Sequence, residues 1–233
     1  MQKIISGILV LVVLSSFSGA LKTDPLLSQK DAKFTYSRFD ASGRLTGYVN
    51  VEIQAVRSFL NTRVSVAKAE YMNDYRVLYG TTRQYFSSDS AGFYVDARQW
   101  IPDLTKAPEN NLPDNGLMWL YYPFQLQTGD TLPDAAFNTT LQGPDGISRT
   151  FYKIINRKAG AMDTLDLGSI GKIAARKITC EIIAARPDQP GANPYRYATV
   201  EEWFVPRLGI VQHIRNDGQG NYYKLELRGY KAP

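Results

Sequence analysis

The clearest signal in the chain is alternation. From Leu45 to Val56 it reads LTGYVNVEIQAV, with Leu45, Val49, Val51, Ile53 and Ala55 on one face and Thr46, Asn50, Glu52 and Gln54 on the other. Successive side chains of a strand point to opposite faces, so this spacing predicts a half-buried β-strand. KFTYSRF precedes it across DASGR, whose Gly43 can take a positive φ, and the two form a predicted hairpin. Comparable segments follow at short intervals: TRVSVAKAEY, YRVLYGTTRQYF, AGFYVDARQW, WLYYPFQL, ISRTFYKIINRK, KITCEIIAA, YRYATVEEWFV, GIVQHIR and YYKLELRGYK. Turn-forming MND, SSDSAG, GPDG and NDGQGN separate several of them. This cadence predicts an all-β, mainly antiparallel protein of about ten strands rather than βαβ units. GDTLPDAAFNTTLQ leads into GPDG without an assignment of its own.

Two stretches break the pattern. DPLLSQKDA, with Asp24 as N-cap and Pro25 at the first helical position, predicts a short N-terminal helix. Residues 101–116, rich in Pro and Asn, show neither period and predict a long loop, a class often mobile or functional.

The first twenty residues read as an export signal followed by one β-rich domain over 21–233. Lys3 supplies the basic start, IISGILVLVV the apolar core, and Ser18 and Ala20 the small residues of a cleavage site. The apolar run is shorter than the roughly 20 residues of a spanning helix. No other segment approaches that length, so no transmembrane segment is expected in the mature chain. The only cysteine is Cys180, which predicts no N-terminal lipid anchor and no internal disulfide. Location is expected to be periplasmic or extracellular.

Net charge is +5, or +4 without Lys3, with basic residues scattered. This fits a solvated surface or weak attraction to anionic lipid or lipopolysaccharide. A nucleic-acid partner is not expected, because no basic stripe is present.

Candidate chemistry is thin. His213 is the only histidine, and within GIVQHIR it reads as a surface or strand-face residue rather than a triad base. Cys180 shares an apolar face with Ile178 and Ile182 and reads as a small buried hydrophobe. Adjacent Glu201 and Glu202 point to opposite faces of a strand and cannot act together on a glycosidic bond; Asp163 and Asp166 are the other carboxylate pair. No metal-ligand spacing and no phosphate-binding loop occur, so neither catalytic residues, cofactor nor metal is assigned. MWLYYPF is the densest aromatic cluster, and Trp119, Tyr121 and Tyr122 are the candidate ligand-binding residues.

Five stretches, in order, resemble the TapB-like family of secreted Bacteroidota proteins of unknown function: RLTGYVNVEIQAV, GDTLPDA, IGKIAARKITCEI, EEWFVPRLGIVQH and YYKLELRGYK. The resemblance covers nearly the whole mature chain. It implies a strongly curved sheet or half-open β-barrel, and brings no catalytic residues. In such a source, Asp89, Asp130 and Asp163 each open an Asp-Ser/Thr step that fits an O-glycosylation pattern. The function expected is a non-catalytic, envelope-associated binding module for an apolar or amphipathic ligand or a partner segment, with lipid, lipopolysaccharide or an envelope protein as partner. The alternatives are a structural or assembly component of the envelope and a hydrolase of envelope glycans or esters. Oligomeric state is open.

Overall fold

The computed structural model of the chain describes residues 25–100, 118–143, 146–186 and 193–233. The expected export signal and the 101–116 loop lie outside the described residues. The strands are β1 (Lys33–Phe39), β2 (Leu45–Phe59), β3 (Thr62–Asn73), β4 (Leu78–Ser88), β5 (Gly92–Asp96) and β6 (Trp119–Pro123) in one arm. β7 (Ala135–Gly143), β8 (Gly146–Asp166), β9 (Lys172–Ala185), β10 (Tyr195–Val205), β11 (Gly209–Asn216) and β12 (Tyr222–Lys231) make the other. All join one 12-stranded sheet in the order β6-β5-β4-β3-β2-β1-β12-β11-β10-β9-β8-β7. Each arm is an antiparallel meander, and the arms are joined where β1 pairs with β12. The sheet curls into a nearly closed barrel around Phe34, Ile53, Phe93, Phe137, Ile182 and Phe204, all at most 1% exposed. Twelve strands, rather than about ten, follow in part because β7 lies within the stretch that alternation left unassigned.

Four local expectations are corrected, each for a physical reason. A bulge between Ile53 and Ala55 shifts the phase of β2. Val49, Val51 and Ile53 are buried as expected, but beyond the bulge Val56 packs on the core. Tyr75–Val77 belong to the β3–β4 turn rather than to a strand: Asn73 in β3 accepts the Val77 amide at its side-chain oxygen, 2.9 Å away, and Arg76 takes a φ of 63°. β8 and β9 run on to Asp166 and Lys172, because bulges at 155–158 and 159–162 interrupt the alternation without ending the ladder. Among the described residues, the expected N-terminal helix gives way to a three-residue 3-10 turn, Leu26–Ser28, with no side-chain cap, and Asp24 lies outside those residues. All three of its residues are buried, so packing rather than helix propensity fixes it.

That turn closes one end of the barrel, called the upper end below. Strand directions put the β2–β3, β4–β5, β8–β9 and β10–β11 turns there, and the β1–β2, β3–β4 and β11–β12 turns at the lower end. The Leu26 amide donates to the Arg207 carbonyl at 2.9 Å, and the Ser28 and Ser88 hydroxyls share a 2.6 Å bond. Gly209, which follows the Pro206–Leu208 turn, has a φ of +79°, and a Cβ there would sit 2.6 Å from Leu27 Cδ1. Only glycine meets both the backbone and the contact.

Candidate functional site

Alternation places charged groups as well as hydrocarbon inside the barrel. β10 turns Ala198, Val200, Glu202 and Phe204 inward, each at most 1% exposed. β11 turns Val211, His213 and Arg215 inward, and the register sets His213 opposite Glu202 and Arg215 opposite Val200. On the other side of β11, Tyr223 of β12 stands opposite Arg215. A fourth polar group comes from β8, where Asn156 takes a φ of 55° in the bulge and Arg157 is 1% exposed.

These side chains form a connected line. Arg157 Nη1 donates to the Pro133 carbonyl at 2.9 Å and Nη2 to the Tyr121 carbonyl at 3.1 Å. One guanidinium therefore spans the opening between edge strand β6 and the segment entering edge strand β7. Unpaired edges template unwanted pairing, and here a side chain occupies two of their carbonyls. The Arg157 guanidinium also lies 4.8 Å from the centre of the Tyr122 ring. The Tyr122 hydroxyl donates to Glu202 Oε2 at 2.8 Å, and the other carboxylate oxygen is 3.6 Å from His213 Nδ1. Toward the lower end, His213 meets Tyr223 edge-on at 6.2 Å. The Arg215 guanidinium stands 5.9 Å from the Tyr197 ring and 5.7 Å from the Tyr223 ring.

Burial sets the electrostatics of this line. It holds the Tyr122 hydroxyl well above its usual pKa, and the neighbouring Glu202 charge adds to the effect. Tyr223 is pushed up by burial as well. The Cys180 thiol, 5% exposed beside the same line, is pushed up first by burial and then by Glu202. A thiol so placed disfavours the thiolate that nucleophilic chemistry needs. Among the described residues no group of three or more His, Cys, Asp or Glu side chains could hold a metal ion.

The residues singled out in the sequence are distributed differently. Trp119, Tyr121 and Tyr122 alternate along β6, with Tyr122 fully buried inside and Trp119 and Tyr121 half-buried on the outer face. Tyr121 covers Gly92 and packs against Tyr94 at 4.8 Å. The three aromatics thus do not line one surface, and only Tyr122 belongs to the internal line. Glu201 points outward to Lys177 at 2.8 Å while Glu202 points inward. Asp163 accepts the Trp203 indole N–H at 2.7 Å, and Asp166 accepts the Gly168 amide at 3.1 Å. His213 is 2% exposed and faces the interior, not the surface. Of the steps matching the glycosylation pattern, Ser90 lies in the β4–β5 turn and Thr164 lies within β8.

The outer face carries a groove of about 650 Å³ across β8–β12, lined by side chains that include Asn156, Thr179, Glu181, Thr199, Glu201 and Tyr222. Both of its carboxylates are engaged: Glu181 accepts from Asn156 at 3.1 Å and pairs with Arg196 at 3.7 Å, and Glu201 pairs with Lys177.

Sequence reasoning missed Arg157, Glu202 and Arg215 as interior residues. A signal was present for two of them. Glu202 shares the inward phase of Val200 and Phe204, and Arg215 that of Val211, each a charge on an apolar face. Arg157 had none, because the bulge at Asn156 moves it out of phase with Ile154.

No family model and no curated protein matches the chain. Two solved structures share its fold. One is a candidate lipoprotein from Parabacteroides distasonis ATCC 8503, with a TM-score of 0.68 and 14% identity over 88% of this chain and 96% of that one. The other is a candidate exported protein with a YmcC-like fold from Bacteroides fragilis NCTC 9343, at TM-score 0.66 and 15% identity over 88% and 97%. The resemblance to a TapB-like family gains no matching model, and the expectation of no N-terminal lipid anchor gains no support, since one neighbour is described as a lipoprotein. The neighbours share the fold of this chain, and one is described as a lipoprotein and the other as an exported protein.

Proposed function

We propose that the chain is an exported, envelope-associated binding module without catalytic activity, whose barrel interior takes an amphipathic ligand from the lower end. One observation carries this reading: the interior is not uniform. Its upper part, sealed by Leu26–Ser28, holds hydrocarbon and the uncharged Ser28, Ser65 and Ser88 hydroxyls, whereas the lower part sets the charged Arg215, with His213, Tyr197 and Tyr223, among apolar side chains. Polar groups are expensive in a core that serves stability alone. They are the usual lining of a site that receives a ligand with both polar and apolar parts. Export rests on residues 1–20, read as a signal cleaved after Ala20, and is supported by the description of the structural neighbours. The ligand class fits lipid or lipopolysaccharide fragments of the envelope. Solvent extraction of protein purified from its native envelope, followed by mass spectrometry, is expected to recover a stoichiometric amphiphile. Repeated recovery of empty protein would overturn the proposal.

A second reading has its own observation. β4 pairs with β5 only through Phe86–Ser88, so among the described residues Leu78–Tyr85 has no strand on that side. Such an edge can add a strand from a partner in envelope assembly. In-cell cross-linking from exposed Leu78 or Tyr79 is expected to trap that partner, and a compact monomer with no adduct argues against it.

A further inference from the structure

Arg215 is 8% exposed and faces the barrel interior. Its guanidinium carbon stands over the Tyr197 and Tyr223 rings, 5.9 and 5.7 Å from their centres. Among the described residues, neither Nε nor Nη1 has a hydrogen-bond partner. The nearby Asp217 carboxylate feels the Arg215 charge, but its oxygens accept from Asn221 and from the Gln219 and Asn221 amides of its own turn. Interior Glu202 accepts from Tyr122 at Oε2, and its Oε1 stands 3.6 Å from His213 Nδ1, beyond hydrogen-bond distance.

Stacking on aromatic rings offsets part of the desolvation of a buried guanidinium, but it acts through the faces and leaves the in-plane N–H groups unused. An unmade hydrogen bond on a buried charged group costs more than one on a neutral group. A carboxylate or phosphate binds guanidinium in its plane, along one of two edges, and each of those edges includes one of the two unpartnered nitrogens. Val200, opposite Arg215 on β10, is apolar; farther up the interior, Leu225 stands opposite His213, and Val211 is the next inward residue of β11 after His213. The arrangement is an anion seat with rigid aromatic walls and hydrocarbon beside it.

We propose that Arg215 seats the anionic head, a carboxylate or a phosphate monoester, of an amphiphile whose apolar part lies against the barrel interior. This rests on the reading of the barrel as a binding module and adds the chemistry of the head group.

The test uses the delipidated full chain and three probes that share one tail: oleate, oleyl phosphate and oleyl alcohol, each below its aggregation concentration, titrated calorimetrically. The expected result is that the wild type binds one or both anions about ten- to a hundredfold more tightly than the alcohol, the advantage of a charge-assisted bond. Whichever anion binds more tightly identifies the head as carboxylate or phosphate. Arg215→Met is expected to abolish the preference while retaining the alcohol affinity, and Arg215→Lys to keep part of it. Equal affinity of the wild type for acid, phosphate and alcohol would overturn the anion seat and leave the binding module standing. Failure of all three probes to bind would overturn both. A melting curve guards against a purely structural role. Replacing a buried guanidinium whose Nε and Nη1 lack hydrogen bonds by a thioether is expected to leave the ligand-free Tm unchanged or higher, and a fall of several degrees with Arg215→Met would show that Arg215 holds the fold instead.

Discussion

The Tyr122 hydroxyl on β6 donates to the Glu202 carboxylate on β10 at 2.8 Å, linking residues 80 positions apart. β6 ends one arm of the sheet and β10 lies within the other, so the bond crosses the barrel interior. Together with Arg157 at the opening, it ties the arms by side chains where the described backbone ladder does not.

Tyr122→Phe removes the donor and leaves a fully buried carboxylate short of one bond. Urea unfolding is expected to show a loss of about 1–3 kcal/mol. Adding Glu202→Leu to that variant should restore part of the loss, because removing both partners is less costly than orphaning one. Strict additivity of the two substitutions would contradict the coupling.

Arg157→Met releases the Tyr121 and Pro133 carbonyls across the opening. Hydrogen exchange is expected to speed up in β6 and β7, while β2–β3 keeps its protection, since local opening follows local contacts. Exposed edges should also promote self-association, visible by light scattering. Uniform exchange changes throughout the sheet would instead indicate a global effect.

Gly209→Ala and Gly43→Ala make an informative pair. Both sites have positive φ, +79° and +78°, but a Cβ at Gly43 meets nothing within 4 Å while one at Gly209 meets Leu27. Gly43→Ala is expected to cost about 1–2 kcal/mol of backbone strain. Gly209→Ala should cost more and displace the Leu26–Ser28 closure, seen as faster proteolysis near the N-terminus.

Tyr36, Tyr122 and Tyr223 are pushed above their usual pKa chiefly by burial. Their raised folded values mean that stability is fully present below the ordinary phenol pKa of about 10 and is lost as pH rises beyond it. Absorbance at the tyrosinate band is expected to show these phenols ionising together with loss of the circular-dichroism signal. Tyr94, pushed up to about 12 by desolvation and its bond to Asp89, is more exposed and should titrate without unfolding. Complete tyrosine titration with the sheet intact would contradict the buried placement.

Much of the architecture was legible in the sequence. The alternation Val49, Val51, Ile53 fixed the buried face of β2, and Pro206 to Gly209 marked the β10–β11 turn, because strand period and turn chemistry are local properties of the chain. Local rules also separated Glu201 from Glu202. They failed at Ala55 and Arg157, where one extra residue in a bulge reverses the facing of the side chains that directly follow without leaving a compositional mark. The density of the aromatic cluster likewise did not show that Tyr122 turns inward while Trp119 and Tyr121 stay half-buried.

The sequence by itself determined an all-β chain, the positions of most strands and the inward face of each regular one. Only the tertiary structure decided that β1 meets β12, that the barrel nearly closes, and that Arg157, Tyr122, Glu202, His213 and Arg215 form one line inside it. The reason is physical: strand formation depends on neighbours two residues apart, whereas the line depends on registers between strands drawn from opposite ends of the chain. A charge on an apolar face is visible locally, but its partners are chosen by the closing of the barrel.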